Sequence, residues 1–218
     1  EAIAGSVYGI ASHEFFHTLL PLSVHSEEIE HYDFRAPRLS RHLWLYEGMT
    51  EYFAIHMPIK QGRQSLEEFL AAINRKLEMM RKFPDDIALT TLSQEAMARQ
   101  DQYYNFYLKG TLFCMGLDIM LRERSQGAYG VQDLVRDLQR DFGPGKPFKD
   151  EELFSTIERL TGPDVREFLQ HHLEKPDALP VADWLAKAGL VQSPEGSVIA
   201  SPAPGREQKR MRTWWLGK

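Results

Sequence analysis

The segment ASHEFFHTLL, residues 11–20, holds His13 and His17 four positions apart, with Glu14 directly after the first histidine. In an α-helix, side chains four residues apart lie on one face at about 5–6 Å, so both imidazoles can reach one ion. Zinc accepts histidine nitrogens at about 2.0–2.1 Å in tetrahedral geometry, which this spacing permits. The segment therefore predicts a helix with two zinc ligands; the alternative is an ordinary helix with two surface histidines.

Glu14 is rotated by about 100° from His13 around the same helix, so its carboxylate flanks the ion and does not bind it. A general base must stand in this position to take a proton from metal-activated water. The sequence therefore predicts Glu14 as the base of a hydrolytic site.

A third ligand is still needed, because catalytic zinc keeps three protein ligands and leaves one position for water. The candidate is Glu47 in LWLYEGMTEYFA, which is apolar before the glutamate and helical after it. A buried unpaired carboxylate is costly, so a metal partner explains Glu47 better than packing does. Glu51 lies four residues later on the same face and is expected to accept the other ring N–H of a zinc histidine. A solvated surface carboxylate is the alternative for Glu51.

Length and charge limit the class of protein. A chain of 218 residues fits one domain, and no apolar run approaches the ~18 residues that span a bilayer. Residues 206–218 carry a charge of +4, which leaves −9 for the rest of a chain whose total is −5. The acidic body argues against nucleic acid as a partner. The basic tail, with Trp214 and Trp215, could bind membranes or nucleic acid, but we expect a solvated terminal segment.

Helical periodicity predicts a mainly α fold without strands. Pro21 and Pro58 are expected to end the first two helices, because proline cannot continue the helical hydrogen bonds. Ser65 and Glu68 predict a capping box at the start of the third. The composition of residues 193–205, SPEGSVIASPAPG, predicts a linker. The predicted helices cover residues 3–20, 43–55, 65–82, 103–125, 131–142, 150–160, 163–173 and 181–188, with a short helix after Ser93.

HEFFH followed by LWLYEGMTEYF resembles the gluzincin zinc peptidases, the group of thermolysin and aminopeptidase N, and most of all their glycyl aminopeptidase family. The 29 residues between His17 and Glu47 form a longer spacer than in aminopeptidase N, as in that family. YLKG, residues 107–110, resembles a Y-x-K-G motif whose tyrosine stabilises an oxyanion. The resemblance implies one zinc ion on His13, His17 and Glu47, with Glu14 as base and Tyr107 as electrophilic stabiliser.

The role of Tyr107 depends on that resemblance. From the helical pattern alone Tyr107 would be a core aromatic. Tyr103 and Tyr104 on the same predicted helix are the next candidates for the role.

The resemblance also implies a domain plan. Residues 1–192 are expected to form an N-terminally incomplete catalytic domain of thermolysin-like type, with the HExxH helix packed on the EGMTE helix. Residues 193–218 are expected to be a linker or tail, or the start of a truncated following domain, since a PDZ domain usually follows in that family. Family members also carry an upstream β-rich region with a glutamate-containing strand, and the sequence is expected to begin after both.

The activity implied is that of an aminopeptidase acting on peptides or proteins. Two alternatives stay open: a thermolysin-like endopeptidase, and a non-catalytic helical scaffold that retains a zinc site. The compartment is left open, with the periplasm or cell envelope favoured over the cytoplasm.

Overall fold

The computed structural model describes residues 2–218, with side chains from residue 7 onward, so Glu1 of the expected domain lies outside the described residues. The fold is mainly helical, as the sequence predicts. The helices are α1 (Ala2–Phe16), α2 (Glu27–Glu30), α3 (Met49–Lys60), α4 (Leu66–Met80), α5 (Leu89–Gln94), α6 (Asn105–Arg124), α7 (Val131–Asp141), α8 (Leu153–Thr161), α9 (Pro163–Leu173), α10 (Val181–Lys187) and α11 (Arg206–Leu216). A π turn (Trp44–Gly48), a 3₁₀ turn (Gln100–Gln102) and strands β1 (Leu190–Gln192) and β2 (Val198–Ala200) complete the list.

Helix α6 is the centre of the molecule. It is buried along nearly its whole length and contacts α3, α4, α10, α11 and the π turn. Apolar side chains lie on every face of α6 and need neighbours on every face, which explains why other helices surround it. No helix among the described residues combines the length and apolar character that a membrane span requires.

The first helix ends one turn earlier than predicted. Helix α1 stops at Phe16, and the N–H groups of His17 and Thr18 bond to carbonyls three residues back, at 3.2 and 3.1 Å. Pro21 cannot offer an N–H to the His17 carbonyl and disfavours a helical residue before it. The N–H of Leu22 takes that carbonyl instead, at 3.2 Å. His17 therefore lies in a tightened turn at the end of the helix.

The second predicted helix is corrected at both ends. Residues Trp44–Gly48 form a π turn, and α3 then continues through Pro58 to Lys60. Pro58 stands in the last turn of α3, where it removes only one helical hydrogen bond. Helix α5 also begins before Ser93, not after it. The capping box of Ser65 and Glu68 is confirmed.

The predicted linker and solvated tail fold onto the domain instead. Strands β1 and β2 pair antiparallel, with Val191 opposite Ile199, and α11 follows. Met211, Trp215 and Leu216 of α11 are buried in the core. The proline and glycine content that predicts a linker belongs to the turns on either side of β2, so the prediction of a linker there is wrong.

Candidate metal centre and active site

Helix α1 packs against α3, and this contact brings the HEFFH segment to the residues around Glu47. The rings of His13 and His17 meet edge to face, with centroids 4.7 Å apart. One ligand atom from each of His13, Glu14 and His17 lies within 4.8 Å of the others. The two histidines thus face one small volume even though His17 lies past the end of α1.

The outer nitrogens of both histidines are already hydrogen-bonded. His17 Nδ1 lies 2.7 Å from the carbonyl oxygen of Leu20, and His13 Nδ1 lies 2.8 Å from Glu51 Oε2. Both partners can only accept, so each Nδ1 carries the proton and donates it. In a neutral imidazole the Nε2 atom then presents a lone pair.

Both Nε2 atoms lie close to a single oxygen. Glu47 Oε2 lies 3.3 Å from His13 Nε2 and 3.5 Å from His17 Nε2. This oxygen is buried, and within the described residues it has no hydrogen-bond partner. Three lone pairs that face one another repel unless a cation lies between them or the rings take up protons. Ligand atoms about 2.0–2.2 Å from a tetrahedral zinc ion lie ~3.4 Å apart, so the spacing fits such an ion.

Without a metal, His13 takes up a proton while Glu47 stays charged. Burial alone would raise the pKa of Glu47, but the two histidines outweigh it and lower that pKa to about 2. Burial alone would lower the pKa of His13, but Glu47 and Glu51 outweigh it and raise that pKa to about 9. The site is therefore built to stabilise positive charge, whether from protons or from a metal ion.

Glu14 and Glu47 both lie near the histidines, but they differ in their exposure to solvent. Glu14 is exposed at the cleft, whereas Glu47 is mostly buried with its orphaned oxygen turned to both rings. A buried carboxylate without a partner needs a cation, and an exposed one does not. The surroundings therefore favour Glu47 over Glu14 as the candidate for a third ligand, with Glu14 beside the candidate site.

Two glycines fix the position of Glu47 relative to α6. A Cβ atom on Gly48 would lie 2.6 Å from the Cα of Gly110, and one on Gly110 would lie 2.9 Å from the Cα of Gly48. Only glycine permits so close an approach of two backbones. Gly48 follows Glu47 directly, and Gly110 lies about one helical turn after Tyr107. The glycines of EGMTE and YLKG thus bring Glu47 and Tyr107 together.

Tyr107 lies at the edge of this centre. Its ring centroid is 6.0 Å from that of His13, and the side chain is half-buried. Burial, and then the charge of Glu47, raises the pKa of the Tyr107 hydroxyl well above its usual range. The phenol therefore keeps its proton and can donate it in a hydrogen bond.

A cleft of about 680 Å³ opens beside the candidate metal centre. Helices α1, α3 and α4 and the start of α6 form its walls. Its lining includes His13, Glu14, Glu51, Lys76, Tyr104 and Tyr107. Glu14 and Tyr107 therefore face the same space, as the two groups of a hydrolytic site must.

Lys76 is a member of the site that no pattern in the sequence predicts. Its Nζ lies 2.5 Å from Glu51 Oε1. Burial would raise the pKa of Glu51, but His13 and Lys76 outweigh it and lower that pKa to about 2. Two other histidines, His42 and His56, are buried in hydrogen bonds to Asp150 and Trp215 and do not line the cleft.

The comparisons with known proteins agree with this geometry. Residues 6–113 match the family model described as M61 glycyl aminopeptidase, and this stretch contains His13, Glu14, His17, Glu47 and Tyr107. The match, over 108 of the 218 residues, supports a glycyl aminopeptidase-like peptidase family. The recognition predicted from HEFFH, WLYEGMTEYF and YLKG is confirmed.

A solved structure supports the fold. The chain is similar to the crystal structure of an aminopeptidase N family protein from Idiomarina loihiensis, with a TM-score of 0.78 and 23% sequence identity. The match covers 92% of this chain and 37% of that protein, so the chain spans little more than a third of its length. None of the curated protein sequences matches the chain.

Proposed function

We propose that the chain is the catalytic domain of a zinc-dependent aminopeptidase, with one zinc ion on His13, His17 and Glu47. The observation that carries the proposal is the convergence of two imidazole nitrogens on one buried, unpartnered carboxylate oxygen. Glu51 keeps the Nδ1 proton of His13 in place, and the Leu20 carbonyl does the same for His17. Such outer partners orient metal-ligating histidines.

Glu14 and Tyr107 have different roles in the proposed hydrolysis. Zinc, when bound, supplies a Lewis acid that acidifies water and polarises a peptide carbonyl. Glu14, exposed at the cleft, takes the proton of the attacking water and delivers it to the leaving amine. Tyr107, which keeps its proton, donates a hydrogen bond to the oxygen on which negative charge develops. Both groups border the cleft that would receive a peptide.

The family match favours an aminopeptidase over an endopeptidase, because the matching model is that of a glycyl aminopeptidase. The scaffold alternative is weakened by the presence of both histidines, Glu47 and Glu14 together. Peptides or proteins are the proposed substrates. A downstream PDZ domain and a place in the cell envelope stay predictions.

Metal content tests the ligand assignment. Protein purified without added metal should contain one zinc per chain by elemental analysis, and His17→Ala and Glu47→Ala should lose it. Glu78→Ala is the matched control, because Glu78 is an exposed glutamate on α4 outside the site. If Glu47→Ala kept zinc as tightly as wild type, the three-ligand assignment would be wrong.

Peptide hydrolysis tests the activity. A panel of peptides with free and with acetylated N-termini should be offered to the chain and to any longer form of the protein that contains it. An aminopeptidase cleaves the first residue from the free peptides and leaves the acetylated ones intact. Internal cleavage of both sets would favour the endopeptidase, and zinc binding without any hydrolysis would favour the scaffold.

A further inference from the structure

Lys76 connects helix α4 to the proposed metal centre through Glu51. Lys76 Nζ lies 2.5 Å from Glu51 Oε1, while Glu51 Oε2 lies 2.8 Å from His13 Nδ1. The two oxygens of one carboxylate thus have different partners from two different helices. The Lys76 side chain is 13% exposed and that of Glu51 is 26% exposed, so water competes little for either contact.

We infer that Lys76 is a positioning residue for zinc binding, because by holding one oxygen of Glu51 it keeps the other oxygen on His13 Nδ1. The inference rests on the proposed function. Glu51 has three rotatable side-chain bonds, and ordering such a side chain costs conformational entropy. The contact with Lys76 removes much of that freedom before any metal arrives. His13 then presents Nε2 to the metal in one orientation.

A different role for Lys76 makes the opposite prediction. If Lys76 only balanced the charge of Glu51, its removal would leave the site more negative, and a dication would bind more tightly. If Lys76 positions Glu51, its removal frees the carboxylate and zinc binds less tightly. The sign of the change in zinc affinity therefore separates a positioning role from a purely electrostatic one.

Arg75 offers a matched control. It adjoins Lys76 in the chain and lines the same cleft, but no hydrogen bond or ion pair of the described residues joins it to Glu51. Arg75→Met therefore removes a positive charge from the cleft without touching the contact of Lys76. Its zinc affinity should be unchanged or slightly higher than that of wild type.

The experiment measures zinc dissociation constants of the chain by competition with a chromogenic chelator. Lys76→Met should bind zinc more weakly than wild type, by up to the about 10- to 100-fold that loss of a direct outer partner of a metal ligand such as Glu51 usually costs. Lys76→Arg, which keeps a cationic donor, should recover most of the affinity. Should Lys76→Met fail to fold, Lys76→Gln carries the same test, with circular dichroism of the metal-free proteins as the check on folding.

A double-mutant cycle shows whether Lys76 acts through Glu51. In a Glu51→Gln background, adding Lys76→Met should change zinc affinity little, because the carboxylate that Lys76 holds is already gone. Additive losses would overturn the inference, and so would a Lys76→Met protein that binds zinc as tightly as wild type or more tightly. Wild-type protein that binds no zinc would instead overturn the proposed function, and the inference with it.

Discussion

Glu14 and Glu47 are chemically identical side chains beside the same two histidines, and only their surroundings distinguish them. Glu47 is held in the π turn with one oxygen buried and unpartnered, whereas Glu14 is exposed at the cleft. A group that binds a metal and a group that moves a proton therefore need different tests. Metal content reports on Glu47, and turnover at constant metal content reports on Glu14.

Glu14→Gln should retain zinc and lose most hydrolysis. The amide keeps the size of the side chain but cannot take up a proton, and a general base is typically worth about 10²–10⁴-fold in rate. Zinc by elemental analysis and kcat on a cleaved peptide are the two measurements. Full activity in this variant would show that another group is the base.

Tyr107→Phe should lower kcat by about 10²–10³-fold, the usual cost of one oxyanion donor. The loss should fall on kcat more than on KM, because the oxyanion exists only beyond the ground state. Zinc content and the free energy of unfolding should change little, since the ring that packs in the cleft wall is kept. Near-normal kcat with lowered stability would instead identify Tyr107 as a core aromatic, and Tyr103 and Tyr104 would be tested next.

The site residues differ in how far the sequence can predict them. His13, Glu14 and His17 lie within five positions, so one helical turn relates them directly. Glu47 and Glu51 follow from a second helical segment and the need for a third ligand. Lys76 could not be predicted, because it lies 25 residues beyond Glu51 and no spacing rule connects two separate helices. Such a contact is visible only when the packing of α3 on α4 is known.

At the scale of elements, the close contact of the π turn with α6 positions Glu47, the proposed metal ligand. A π turn contains one extra residue per turn and often occurs at functional sites. The sequence predicts helix here and nothing more, because helical periodicity does not reveal one inserted residue. The same limit applies to residues 193–205. Their local composition cannot show that the chain after them packs back on the domain, with Trp215 of α11 buried in the core.

Gly48→Ala should destabilise the protein by about 1–3 kcal/mol or more. The new Cβ would lie 2.6 Å from backbone atoms of Gly110, and backbone cannot turn aside as a side chain can, so the π turn and α6 must separate. Gly9→Ala is the control, because a Cβ there meets nothing within 4 Å and alanine favours the helix by up to about 1 kcal/mol. Urea unfolding of the metal-free proteins measures both. Equal stability of Gly48→Ala and wild type would contradict the assigned contact.

At the scale of the whole molecule, a buried polar cluster joins α3, α6 and α11. His56 Nε2 donates to the Trp215 carbonyl at 2.8 Å, and its Nδ1 is buried with no partner among the described residues. Asp118 of α6 lies 3.7 Å from His56 and accepts from the Tyr52 hydroxyl at 2.7 Å. Burial lowers the pKa of His56 to about 4, and Asp118 offsets this only in part. Groups that carry or can carry charge around His56 are Tyr52, Lys60, Asp118 and Arg122.

This cluster predicts a loss of stability in mild acid. The pKa of His56 is about 6.5 in the unfolded chain and about 4 in the folded protein, so the folded protein binds fewer protons between these values. The contribution of His56 to the free energy of unfolding is therefore fully present above pH 6.5 and decreases as the pH drops toward 4. The decrease is about 1.4 kcal/mol per pH unit and roughly 3 kcal/mol in all. His42, also buried with a pKa of about 4, acts in the same direction.

A comparison of variants measures how much of the pH dependence of stability comes from His56. His56→Gln keeps an N–H for the Trp215 carbonyl but cannot titrate, so its free energy of unfolding should fall less steeply between pH 6 and pH 4.5 than that of wild type. The expected difference in slope approaches 1.4 kcal/mol per pH unit for one group. His31→Gln, at an exposed position, should keep the wild-type slope. Parallel profiles of unfolding free energy against pH for His56→Gln and wild type would show that His56 takes up its proton as readily in the folded protein as in the unfolded chain. The junction of α11 with α3 would then not be the acid-sensitive point of the fold.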